Sequence, residues 1–350
     1  MRILFVMDKR ADAGSIQAIA NYVRAGDEMG HDIALYGRSD PTFPTVRFST
    51  DPNSFDYVMF VIESGLDWMS GLRMPRLLSN VPRRKRVIFD ADGMYNQRII
   101  VDSYDRNHIT ECMRLRWLAH CENLADLIFQ PTLCPREPGV KSLLFYGYDP
   151  ESQVTEGEAP PKRFDVLHLG HNWWRWREVS NTLLPAIERI RQSLGEICFV
   201  GAWWNQPPSV VEAGLEPAFY ADTEWFQRLG IQVWGAVPFT NVISIMSTAR
   251  VNIMTQRPLF RRLRMLTSKF FEIFTADTIA FVMLDPEHAE SVYGPAGKEL
   301  ALYDGIENKL LDALHRPLKY RKIMEEVRRH LSIHHSYRKR LQELIAALDS

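Results

Sequence analysis

Asp165-Val-Leu-His-Leu-Gly-His-Asn-Trp-Trp-Arg-Trp-Arg-Glu178 decides the fold, because it begins a pattern that the chain has already used once. Asp165–Leu169 is a short apolar strand, Gly170–Trp176 a loop, and Glu178–Leu194 a helix by its spacing. The chain opens in the same order. Arg2-Ile-Leu-Phe-Val-Met7 reads as a buried parallel strand and Asp8–Gly14 as a loop. Ser15 is placed to cap a helix running to about Met29, with Ile16, Ile19, Ala20 and Val23 on one face. Between the two beginnings lies Glu151–Pro161 (ESQVTEGEAPP), polar, acidic and ended by prolines, which reads as a linker. The fold class predicted is α/β, with two Rossmann-like doubly wound domains facing a cleft. Their expected extents are 1–150 and 162–335, joined by 151–161. A C-terminal helix over 336–350 is expected to pack back on the first domain.

Further strands are predicted at Asp32–Leu35, Tyr57–Ile62, Arg86–Phe89, Leu127–Gln130 and Lys141–Phe145. In the second half they are predicted at Ile197–Val200, Ile231–Trp234, Val251–Met254 and Ile279–Val282. Helices are expected at about Phe239–Met246 and Ser268–Phe274, and over Ile306–His315, Leu318–His330 and Tyr337–Leu348.

With 42 Lys and Arg against 43 Asp and Glu, the net charge is −1, so nucleic acid is not expected as a partner. Cys112, Cys121, Cys134 and Cys198 form no zinc spacing and read as free thiols of a reducing cytoplasm. The first apolar run is too short for a signal peptide, and no run is long enough to span a bilayer. The expected location is cytoplasmic, with at most peripheral membrane contact.

Charge is nevertheless uneven. Trp225–Phe271 contains no Asp or Glu in 47 residues, where about six would be expected by proportion. It carries Arg228, Arg250, Arg257, Arg261, Arg262, Arg264 and Lys269, and it ends at Glu272. A field of cations beside one carboxylate suits a ligand with phosphates at one end and sugar hydroxyls at the other. Thr267 or Ser268 would cap the helix that follows, and its first amides would hold a diphosphate. Lys269 would add charge, Phe271 would lie alongside, and Glu272 would accept hydrogen bonds from a vicinal diol. Arg257 follows a predicted strand, so it is assigned to the site; Arg261, Arg262 and Arg264 are assigned to the rim. Gly170, His171, Asn172 and Arg177 line the loop after the restarted strand, where backbone can approach a phosphate. In the first half, Asp90-Ala-Asp92-Gly-Met-Tyr95-Asn96 follows a strand. Asp92 is the candidate base for an acceptor hydroxyl, with Asp8, Gly14, Tyr95 and Asn96 on the acceptor side. No residue cluster suggests a metal or a cofactor.

Several of these segments resemble a known family. Lys269-Phe-Phe-Glu272, Gly297-Lys-Glu-Leu-Ala-Leu-Tyr-Asp304 and Ser336-Tyr-Arg-Lys-Arg340 occur in the order seen in the C-terminal domain of GT-B glycosyltransferases. The likeness is to the CgeB-like group of family-1 and family-4 type in particular. It implies a GT-B fold and a nucleotide-diphosphate sugar, such as a UDP-sugar, as donor. It also implies metal-independent transfer, with retention at the anomeric carbon. The acceptor is left open among a glycan, lipid, small molecule or protein. By resemblance, Glu272 holds the donor ribose and Gly170, Arg177, Arg257 and Lys269 lie near the diphosphate. Family-4 enzymes often carry two glutamates eight positions apart; Glu272 matches the second, but Arg264 stands at the first, and Thr275-Ala-Asp277 lacks the usual glycine. These departures motivate a second reading, a catalytically inactive GT-B-like binding or scaffold protein. A nucleic-acid-modifying transferase is the third, and the net charge speaks against it.

Overall fold

The computed structural model describes residues 1–7, 14–62, 80–93, 125–155, 157–207 and 219–349. The chain divides into two compact units. Unit 1 is Met1–Gly147 with Arg262–Ser268 and Ser336–Ser350, and unit 2 is Tyr148–Arg261 with Lys269–His335.

Unit 1 is built on β1 (Arg2–Val6), β2 (Asp32–Tyr36), β3 (Phe48–Ser49), β4 (Tyr57–Ile62), β5 (Arg86–Asp90), β6 (Leu127–Gln130) and β7 (Val140–Ser142). They pair in the order β3-β2-β1-β4-β5-β6-β7, every pair parallel. Helix Gly14–Met29 covers the sheet with Ile16, Ile19, Tyr22 and Val23, spaced at three and four residues. Ser15 is not its cap. It lies inside the helix, fully buried, with its hydroxyl 2.9 Å from that of Tyr146. β7 is shorter than the predicted Lys141–Phe145, because Phe145 turns into a ring cluster with Phe5, Tyr22 and Phe89. The two-residue β3 carries too little pattern to be read from sequence.

Two distant segments complete unit 1. Helix Tyr337–Asp349 packs on Gly14–Met29, with the Tyr337 and Tyr22 rings 5.7 Å apart. Its Arg340 is 2% exposed, paired with Glu343 at 2.9 Å, and donates to the Leu144 carbonyl. Burial lowers the Arg340 pKa, against the opposing pull of Glu343. Tyr57 donates to the Leu348 carbonyl. The second segment, 262–268, joins through an antiparallel bridge between Thr132 and Met265 and a bond from Thr132 Oγ1 to the Leu263 carbonyl.

Unit 2 repeats the plan with β8 (Phe164–Leu169), β9 (Ile197–Val200), β10 (Ile231–Trp234), β11 (Ala249–Met254) and β12 (Ile279–Val282). The order is β10-β9-β8-β11-β12, again all parallel. Just before the residues read as a linker, Tyr148 N donates to the His335 carbonyl and Asp149 caps the turn Pro150–Ser152. Within them, Val154 N donates to the Thr275 carbonyl of this unit. The helix predicted from Glu178 starts at Trp176 and widens to a π-helical turn over Val179–Leu183 before resuming at Leu184–Ile190. Pro185 explains the widening, since it has no N–H for the ladder and its ring crowds the carbonyl four residues back.

In both sheets the first strand lies between the second and the fourth, so the direction of growth reverses between β1 and β4 and between β8 and β11. The carboxyl edge at such a reversal is where open α/β sheets bind ligands. At that edge of unit 2 one approach is very close. Gly201, just after β9, has φ 147°, and a Cβ there would collide with the Gly170 carbonyl and lie 2.6 Å from its carbon. We therefore expect Gly201→Ala to destabilise the protein by roughly 3 kcal/mol in urea denaturation, with Gly157→Ala, where a Cβ meets nothing within 4 Å, as the neutral control.

Candidate functional site

The carboxyl edge between β8 and β11 is assembled from strand ends. His168, the penultimate residue of β8, is fully buried between Phe199 and Trp204, with ring centroids at 5.1 and 5.3 Å. Its Nδ1 lies 2.9 Å from the Ile253 carbonyl on β11, which makes Nδ1 the protonated nitrogen. Nε2 is then a buried acceptor, and no described group donates to it. Burial lowers the His168 pKa to about 3, against the Ile253 bond, and the charges of Arg175 and Lys269 lower it further. A Cβ on Gly170 would lie 3.7 Å from His168 Nε2 and 3.8 Å from the Arg175 guanidinium. The glycine thus leaves a notch bounded by a neutral imidazole and a cation.

The loop after β8 is fixed by bonds to backbone. Trp204 Nε1 donates to the Gly170 carbonyl at 2.6 Å. Asn172 Nδ2 donates to the carbonyls of Trp203 and Phe219, so Asn172 is a clamp between loops. His171 Nδ1 accepts from Ala202 N at 2.9 Å, which leaves Nε2 as its protonated nitrogen in the neutral ring. Of the two loop arginines, Arg175 is buried and bonds the His171 carbonyl, whereas Arg177 is exposed. Among the described residues, Trp174, Trp203 and Arg264 are the non-glycine residues with positive φ, at 60°, 69° and 51°. Each costs roughly 1 kcal/mol or more.

On the neighbouring strand, Thr255 directly follows β11. It is fully buried, and its hydroxyl meets no hydrogen-bond partner among the described residues. Arg257 is half-buried with its guanidinium 4.7 Å from the Phe260 ring centre. Lys269 opens the short helix Lys269–Glu272. Its Nζ lies 4.0 Å from Glu272 Oε2 and 5.4 Å from the Phe239 ring centre. Arg261 is bound to Glu178 and lies over Tyr303. Burial raises the Glu178 pKa, and Arg261 opposes that shift.

The acid-free stretch is thus divided. Arg257, Arg261 and Lys269 belong to unit 2, whereas Arg262, Arg264, Thr267 and Ser268 belong to unit 1. Phe271 is fully buried with its ring 5.8 Å from that of His335; it is a core residue and offers no ligand surface. In unit 1, Gly14 and Ser268 are in contact, since a Cβ on Gly14 would strike the Ser268 hydroxyl. Asp90 is fully buried and accepts from Gln130 Nε2 at 2.8 Å. Asp92 is half-buried just beyond β5. The following Gly93 has φ 72° and sits where a Cβ would be 2.8 Å from Leu263 and Met265. Asp8, Tyr95 and Asn96 lie outside the described residues. His168 and Thr255 are absent from the site drawn from sequence, which kept Arg177 of the two loop arginines, both able to supply charge, and not Arg175. The available signal was a histidine and a threonine within or just past otherwise apolar strands.

No family model matches this chain, and no curated protein matches it in sequence. In structure it is similar to an alpha-glucosyltransferase in complex with UDP and a 13-mer DNA containing a central A:G mismatch, with TM-score 0.64 at 12% identity. It is also similar to T4 phage BGT in complex with its UDP-glucose substrate, with TM-score 0.59 at 13% identity. A third neighbour is T4 phage BGT with UDP and Mn2+, with TM-score 0.58 at 12% identity. Each match covers 100% of both chains.

The fold is the two-domain GT-B fold of the glycosyltransferases. The finer likeness to a CgeB-like group has no family match behind it. The expectation that nucleic acid plays no part is overturned, because neighbours of this fold are held in complex with DNA containing a mismatch, an abasic site or a HMU base. Net charge misled because it is a sum over the whole chain, whereas a nucleic acid meets local charge. Among the described residues, no three His, Cys, Asp or Glu side chains are grouped to hold a metal ion, and no helix is long and apolar enough to cross a membrane.

His168 makes a measurable contribution to pH dependence. Its folded pKa, about 3, lies below the unfolded value near 6.5, so the unfolded state binds the extra proton between them. The stability this group supports is intact above pH 6.5 and falls by about 1.4 kcal/mol per pH unit as pH drops toward 3. Urea titrations between pH 8 and 5 should show that slope in the wild type and its loss in His168→Asn. The His168 ring signals in NMR should not move across that range.

Proposed function

We propose that this chain is a nucleotide-sugar-dependent glycosyltransferase whose acceptor is DNA. The observation that carries the reading is the end-to-end likeness to UDP-glucose-dependent glucosyltransferases. It coincides with a cationic strand edge in unit 2 at the sheet position where this fold class takes ligands.

In the proposed reaction, the bond from the anomeric carbon to the diphosphate oxygen breaks, and its electron pair leaves with the diphosphate. The acceptor hydroxyl oxygen bonds that carbon, and its proton passes to a base. Arg175, Arg257 and Lys269 meet the negative charge that grows on the leaving diphosphate. Gly170 lets that group approach the loop backbone, and Glu272 accepts from ribose hydroxyls. His168 stays neutral in this field, so it offers Nε2 as an acceptor at all working pH values. In unit 1, Asp92 orients the acceptor hydroxyl and takes its proton, while Asp90, two residues before it, is buried and held by Gln130. Arg261 is committed to Glu178, and Asn172 serves the loop.

Calorimetry should detect binding of UDP and UDP-glucose. Lys269→Ala and Arg175→Ala should each weaken it about tenfold or more, the effect of losing a charge-assisted contact of about 1.5–3 kcal/mol. Asp92→Asn should bind the donor normally and lower glucose transfer to a hydroxymethylated-base oligonucleotide by about a hundredfold or more. A protein that binds neither UDP nor UDP-glucose would refute the enzyme reading. Donor binding with transfer to a non-DNA acceptor alone would refute the DNA part.

A further inference from the structure

The loops after β8 and β9 build a second feature that the donor site does not use. Trp173, Trp174 and Trp203 are each half-exposed and stand around Phe219, which is 3% exposed. The Trp173 ring lies 4.9 Å from Phe219 and 5.2 Å from Trp203, and the Trp174 ring lies 4.9 Å from Phe219. His171 extends the layer, 5.5 Å from Trp203, and Tyr220, which follows Phe219 in the chain, is 45% exposed. Hydrophobic burial alone would turn such rings inward, as it does the neighbouring Trp204, which is fully buried.

Two of the three half-exposed indoles are carried by residues in the left-handed region, Trp174 at φ 60° and Trp203 at φ 69°. Backbone of that kind persists only where its surroundings enforce it, and it concentrates at ligand clamps. Here the enforcement is visible. Asn172 ties the carbonyls of Trp203 and Phe219 together, and its own N–H bonds the Ala202 carbonyl. The outcome is a fixed set of half-exposed aromatic rings. The exposed cation Arg177 lies a few residues along the same loop, and Leu169–Arg177 contains no acid.

Aromatic rings held beside cations are how proteins hold unpaired nucleobases, because every base offers a π-face and every nucleotide a phosphate. We propose that Trp173, Trp174 and Trp203 form a stacking platform for unpaired bases of the acceptor DNA, with Arg177 meeting the backbone. This rests on the reading of DNA as acceptor. It goes beyond it by assigning DNA contacts to unit 2, outside the acceptor residues Asp90 and Asp92 of unit 1.

The test is a fluorescence titration of the full chain with single-stranded oligonucleotides, alongside calorimetry with UDP-glucose. Stacking on these indoles should quench tryptophan emission saturably. Trp173→Leu and Trp203→Leu should each lose part of the quench and weaken DNA binding about tenfold or more, with UDP-glucose affinity unchanged. Trp173→Phe, which keeps a π-face, should restore most of the affinity. Arg177→Ala should weaken binding and lower its salt dependence. Equal DNA affinity in the Leu variants, with folding and UDP-glucose binding intact, would overturn the platform and leave the enzyme reading standing. Loss of UDP-glucose affinity with DNA binding unchanged would also overturn it, by assigning the rings to the donor's own base. No DNA binding by the wild type, with UDP-glucose bound, would defeat both the platform and the DNA acceptor.

Discussion

The second unit depends on one steric constraint, the meeting of the Gly201 backbone with the Gly170 carbonyl. Only a residue without a Cβ fits after β9, and the indole of Trp204 closes the arrangement by donating to that same carbonyl. From this contact the rest of the edge follows. His171 is oriented by Ala202 N, Asn172 reaches the next loop, and Arg175 folds back onto the His171 carbonyl. The notch beside Gly170 is therefore held by backbone. Its cation and its imidazole are added to a shape that exists without them.

The same edge shows how a protein keeps charge and neutrality side by side. His168 holds no proton above about pH 3, because it is buried and because Arg175 and Lys269 already stand near it. Glu178 is half-buried, but it has a partner in Arg261, and the pair removes one cation of the basic stretch from competition for anions. A positive field spread over 47 residues of sequence resolves into a few cations in defined places and several that serve the fold.

The fold was largely legible in the sequence. Strands such as Ile197–Val200 and Ile279–Val282 are short apolar runs, buried along their whole length as parallel strands are. The site was legible where one residue type carries the geometry, as with Gly170 between strand and helix. It was not legible where geometry comes from afar. Nothing near Gly201 in sequence reveals that it meets a carbonyl 31 positions earlier. The choice between Arg175 and Arg177 depends on which way the loop enters its helix. Phe271 lies beside Lys269 in sequence yet faces the core, because successive helical residues point some 100° apart. The DNA-bound neighbours were hidden for a different reason, since a net charge of −1 carries no information about where 85 charged residues lie.

The make-up of unit 1 constrains how the protein can be made. Its core needs Tyr337 against Tyr22 and Arg340 beneath Leu144, and both partners are supplied by the helix Tyr337–Asp349. Unit 2 is encoded before that helix. During synthesis, the amino-terminal sheet must therefore wait for this helix until all of unit 2 has been made. The unit begun first is completed only after the second, and the helix Tyr337–Asp349 seals a surface made about 300 residues earlier.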